Sequence, residues 1–95
     1  MMINLIEWGT VLSERDLGAE IRMSITKHIR SNSKVTVDFT GIRMINSSFA
    51  DEVFAKLVND LGLEAVRESL IITNNKPVLK TIINEAIATR MALVV

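Results

Sequence analysis

The chain has 95 residues, 48% of them hydrophobic, with 11 basic and 11 acidic side chains that cancel to a formal net charge of zero. That is enough apolar material for one core and little room beside it for a deep catalytic cleft, although shallow sites and clefts between copies stay open. The balanced, interspersed charge offers no broad field to a phosphate backbone or an anionic lipid surface, and the absence of cysteine excludes disulfides, thiolate nucleophiles and thiolate metal sites. These bounds predict a single domain over residues 1–95, in a reducing, cytoplasmic setting, that avoids nucleic acid and membrane. The opening segment, Met1 to Trp8, has an early acid and no basic leader, so it does not read as a signal peptide, and no apolar run approaches the ~20 residues that span a bilayer.

Residues 2–8 are rich in Ile and Leu and stop at Gly9-Thr10, which predicts a first strand closed by a turn. Leu17, Ile21, Ile25 and Ile29 recur every fourth position among good helix formers, so a first helix runs to Arg30, with Ser13 and Asp16 as its capping pair. After the polar break Ser31 to Lys34, Val35, Val37 and Phe39 alternate with Thr36 and Asp38, the pattern of a half-buried strand. Ala50, Val53, Phe54, Leu57, Val58 and Leu61 form a one-sided helical stripe that ends at Gly62. A short helical connector over Leu63 to Glu68 leads to a buried strand at Leu70 to Thr73. Pro77 then opens a last helix with Val78, Leu79, Ile82, Ile83, Ala86 and Ile87 on one face. Met91 to Val95 suit either a small terminal strand or a cover for the core. The order β-α-β-α-β-α with short connections predicts an α/β fold, a mainly parallel sheet of three to four strands packed with about three helices. Ligands of such sheets meet the loops beyond the carboxyl ends of the strands, here Thr40 to Ser48 and Thr73 to Lys76.

The densest polar cluster lies between the clearest strand and the clearest helix and centres on Asn46-Ser47-Ser48. Ser48 stands three residues before Asp51, the spacing at which a serine caps a helix and an acid completes a capping box. The same helix start has free N–H donors and a partial positive charge that favour a phosphate, so Ser48 reads either as a cap or as a regulated serine.

The stretch from Val35 to Leu61 resembles the STAS family of sulfate-transporter and anti-sigma-factor-antagonist domains. It looks closer still to a STAS-like family of unknown function, through Asp38-Phe39 and Ser48-Phe49-Ala50-Asp51-Glu52. The resemblance implies a small STAS-like domain. In the antagonists, an Asp-Ser-Ser-Gly turn is phosphorylated on its second serine by a kinase with a histidine-kinase-like ATPase fold. By motif position that serine is Ser48, and phosphate there would release a docked partner. Asn46 stands where the antagonists have aspartate, and Phe49 where they have glycine, so the docking surface differs.

Phe49 reads as a partly exposed anchor for a partner or as an apolar staple folded under the loop. Asp38 supports its loop or, on the other reading, binds a cation or orients Ser48. His28 reads as a solvated surface residue, Trp8 as core or interface, and the five methionines as gap fillers. Asn74, Asn75 and Lys76 make a turn that could border the Ser48 site. Singly scattered glycines form no phosphate cradle, so any kinase is a separate protein and no cofactor is expected. The expected function is therefore a non-enzymatic regulatory module whose protein partner meets Asn46, Ser47, Ser48, Phe49, Asp51 and Asp38. The alternatives are a small ligand- or nucleotide-binding domain or enzyme subunit built on Asp38, Ser48 and Asp51, and a structural subunit that forms homo-oligomers.

Overall fold

The computed structural model describes residues 1–93. Along the chain follow β1 (Met2–Asn4), a 3₁₀ turn (Leu5–Trp8), β2 (Val11–Leu12), α1 (Arg15–Arg30), β3 (Val35–Asp38) and β4 (Met44–Ile45). The second half comprises α2 (Ser47–Ala50), a π-helical turn (Asp51–Ala55), α3 (Lys56–Leu61), α4 (Leu63–Ser69), β5 (Leu70–Thr73) and α5 (Pro77–Ala92). The main sheet is parallel, in the order β1-β3-β5, and β2 pairs with β4 in a separate parallel ladder. This is the small, mainly parallel α/β fold expected from the sequence.

Strand alternation decides which side chains meet the helices. Ile3, Val35 and Val37 are buried on one face, while Met2 and Ile71 stay exposed on the other. Phe39 follows β3 into the core and stacks on Phe54, with ring centroids 6.1 Å apart. α2, the π turn and α3 follow without a break as one rod over residues 47–61, and this rod packs between α1 and α5. Gly62 ends the rod with a φ of 89°, a left-handed conformation that glycine adopts without a Cβ penalty.

Several expectations need correction. The first strand covers only Met2–Asn4, because β3 ends at Asp38 opposite Asn4 and a strand lasts only as long as its neighbour; Leu5 then turns inward and is fully buried. Trp8 is 44% exposed and therefore not core. The short β2–β4 ladder had no pattern of its own in the sequence, since two residues are too few to show alternation. α1 begins at Arg15 after an extended Glu14 that makes no side-chain cap, so Ser13 lies outside the helix start. All five methionines are exposed, at 42% or more, and fill no gaps. His28 is half-buried rather than solvated, its Nδ1 lying 2.8 Å from the Ser24 carbonyl oxygen. On α5, Leu79, Ile83 and Ala86 are buried and Val78 is exposed. α5 includes Met91 and Ala92, which removes the terminal-strand reading for those residues; Val94 and Val95 lie outside the described residues.

Candidate functional site

The rod over residues 47–61 starts beyond the β4 strand, and Asn46 is its cap. Asn46 is extended, and its Oδ1 accepts a hydrogen bond from the Phe49 N–H at 2.8 Å. The cap is therefore two residues earlier than Ser48, and Asp51 completes no capping box. With the start at Ser47, position 49 falls on the inner side of the first turn, and Phe49 is fully buried. It acts as the core-facing staple and not as an exposed anchor. Ser47 is exposed and Ser48 half-buried, and among the described residues neither hydroxyl has a hydrogen-bond partner.

Asp51 points instead to two arginines brought from distant elements. Arg90 of α5 donates through Nε at 2.6 Å and Nη2 at 2.7 Å in a bidentate fork, and Arg15 of α1 donates through Nη1 at 3.0 Å. The Arg90 hydrogen bonds, more than offsetting burial and helped by Arg15, hold the Asp51 carboxyl at about 2 instead of 3.8. Next to it, Glu52 is 6% exposed and is the one buried charged residue among the described residues. Arg15 Nη1 (3.0 Å), Arg22 Nη1 (2.8 Å) and Lys56 Nζ (2.6 Å) all reach its carboxylate. Burial alone would push Glu52 up, but the bonds from Lys56, Arg22 and Arg15 outweigh it and hold the group at about 2.

The π turn explains how two successive acids serve one cluster. It winds more residues into each turn than an α-helix, so Asp51 and Glu52 diverge less around the axis, and one guanidinium, that of Arg15, reaches both. Arg22 also donates to the Glu52 carbonyl oxygen at 2.6 Å, supporting the backbone of the π turn. The approach of α1 is close enough that a Cβ on Gly18 would sit 2.8 Å from Glu52 Cβ.

Ser47, Ser48 and Asp51 share an open groove of about 370 Å³ with Arg15, Arg90 and Leu93. Asp38 is not in that group. Its Oδ1 accepts from Thr40 N and Oγ1, Thr73 Oγ1 and Asn74 Nδ2, at 2.7–3.3 Å, which ties the loops after β3 and β5 together. The Asn74 bond leads in holding the Asp38 carboxyl below its ordinary range. Asn74 makes this contact from a left-handed turn, φ 56°. Asp38 is thus a loop support, and among the described residues no hydrogen bond joins it to Ser48. No group of three or more His, Cys, Asp or Glu side chains converges among the described residues to hold a metal.

Of the cluster, the sequence singled out Asp51 and none of its cationic partners; the one local signal for the rest is the i,i+4 spacing of Glu52 and Lys56. Arg15 and Arg90 lie 36 and 39 positions from Asp51, and nothing local marks them.

The sequence profile of the STAS-like domain of unknown function (DUF4325) matches residues 18–80, about two thirds of the chain. The chain belongs to this STAS-like family. The match spans α1 from Gly18, the Asn46-Ser47-Ser48 turn, the π turn and the start of α5. Arg15 and Arg90 of the STAS-like domain fall outside the matched segment, on either side of it. No curated protein and no solved structure matches the chain significantly. No helix among the described residues is long and apolar enough to cross a membrane.

Proposed function

We propose that this STAS-like domain is a non-enzymatic regulatory module whose Ser47-Ser48 turn docks a protein partner, and that phosphorylation of Ser48 by a histidine-kinase-like ATPase releases it. One observation carries the reading: Asn46 caps the helix, so the serine hydroxyls are not needed to hold the helix start and lie at an open groove. A structural role for Ser48 as the cap, the main competitor, loses its basis. Phe49 is buried, and Asp38 lies outside the groove, tied to the loops after β3 and β5. The surface offered to a partner is therefore Ser47 and Ser48 with Arg15, Arg90, Thr89 and Leu93 around them. Phosphate at Ser48 would add about two negative charges and bulk to that surface.

The test is the intact mass of the protein from its native cells, with its co-purified partners, beside Ser48→Ala and Ser47→Ala versions. A phosphate-sized shift lost only in Ser48→Ala, with an ATPase of the histidine-kinase type bound, is the expected result. An unmodified mass and no partner would sink the proposal.

A further inference from the structure

The β1-β3-β5 sheet is parallel, and its helices pack against the face that presents Ile3, Val35 and Val37. Parallel sheets are almost always covered on both faces. Here the second face has a cross-strand row in register, Met2, Thr36 and Ile71, with Met2 59% and Ile71 47% exposed. β5 reads Leu70-Ile71-Ile72, the unbroken apolar run of a strand covered on both sides. Beyond that row lies a polar one, Asn4, Asp38 and Thr73.

Size and charge decide what fits. Three strands about 4.8 Å apart, β1 three residues long and β3 and β5 four, at about 3.3 Å per residue, present less than roughly 200 Å². A stable dimer needs about 800 Å² from each copy, so this face by itself does not hold a second copy. The outer strands are about 10 Å apart, the diameter of one α-helix, and the strand length matches about nine helical residues. Immediately before β3 stands the exposed Lys34, and Asp38 closes the strand, so the sheet carries a positive charge at its amino end and a negative one at its carboxyl end. A helix is positive at its own amino end.

We propose that this face seats one amphipathic α-helix of a partner protein, running antiparallel to the strands, with its apolar stripe on Met2 and Ile71 and its amino end at Asp38. The flexible Met2 side chain adapts to the packed residues. So small a seat binds weakly alone and serves a partner that also holds the domain elsewhere. The seat lies away from Ser47 and Ser48, and it stands or falls independently of the proposed function.

The probe is a hydrocarbon-stapled helical peptide with a leucine stripe, added to the ¹⁵N-labelled full chain, with a nitroxide at either peptide end. Amide shifts should centre on Met2, Thr36 and Ile71, and the amino-terminal nitroxide should broaden Asp38 and Thr73. Ile71→Lys, or Met2→Lys if the first variant folds poorly, should weaken binding at least tenfold, which is about 1.4 kcal/mol. Three results overturn the proposal: no shift at about 1 mM peptide, where binding would be worth under about 4 kcal/mol; shifts confined to the helices; or Asp38 broadened by the carboxyl-terminal nitroxide instead. Sedimentation of the free chain as a dimer that Ile71→Lys returns to monomer would assign the face to a second copy and overturn it as well.

Discussion

Asn46 and Ser48 show how closely a local role depends on where a helix starts. Asn46 Oδ1 meets the Phe49 N–H, so Asn46→Ala removes a real cap and should cost about 1 kcal/mol, or about 4–8 °C in melting temperature for a domain of this size. Ser48→Ala removes a hydroxyl with no partner among the described residues and should shift the melting temperature by less than about 3 °C, within the ±0.5 kcal/mol usual for such sites. Thermal unfolding of the two variants side by side checks the assignment. Equal losses would return the cap to Ser48. Both polar residues and Asp51 were visible as a cluster in the sequence, yet serine-x-x-acid spacing fits two starts two residues apart, and only the backbone of Asn46 separates them.

At the scale of elements, the contact between α1 and the π turn holds the site in shape. A glycine inside a helix is ordinarily about 0.5–1 kcal/mol worse than alanine, so Gly18→Ala would stabilise an isolated α1. In the folded protein the new Cβ meets Glu52 Cβ at 2.8 Å, and separating the two elements outweighs the gain. The expected result is a net loss of about 1–3 kcal/mol by urea unfolding. A more stable Gly18→Ala would mean that the contact is looser than described. Glu52→Gln should be costlier, about 3 kcal/mol, because it leaves Arg15, Arg22 and Lys56 facing a neutral group in a partly buried cluster. Denaturant midpoints of that variant, with the slope unchanged, measure it.

The whole molecule senses acid through the same two carboxylates. Asp51 and Glu52 stand at about 2 in the folded chain, against ordinary values of 3.8 and 4.5. Folded values below unfolded ones mean that the stabilisation is complete above the unfolded values and is lost as the pH falls through them toward the folded ones. Each shift corresponds to about 2–3 kcal/mol, and because Arg15 serves both groups the total is less than the sum. Urea unfolding should therefore show a fall of about 3 kcal/mol between about pH 5 and pH 2. Asp51→Asn should flatten part of that fall and leave the stability of the wild-type and variant chains closer at low pH than at neutral pH. A profile that Asp51→Asn leaves unaltered would refute the ion-pair account.

The order of the main strands and helices followed from the sequence because periodicity is a property of neighbours. Val35, Val37 and Phe39 alternate, and Val53, Phe54, Leu57 and Val58 stripe a helix, and each set is buried as its period requires. The STAS-like family was legible for the same reason, since Asp38-Phe39 and Ser48-Phe49-Ala50-Asp51-Glu52 are short, contiguous motifs. Tertiary structure alone decided the rest. A strand ends where its partner does, which cut the first strand at Asn4; the π turn and Gly18 answer to a contact between two elements; and the Arg15 and Arg90 guanidiniums meet at Asp51 because the chain folds around the rod. Local spacing encodes which face of an element is apolar, whereas charge pairing across 36 and 39 positions exists only once those faces are packed.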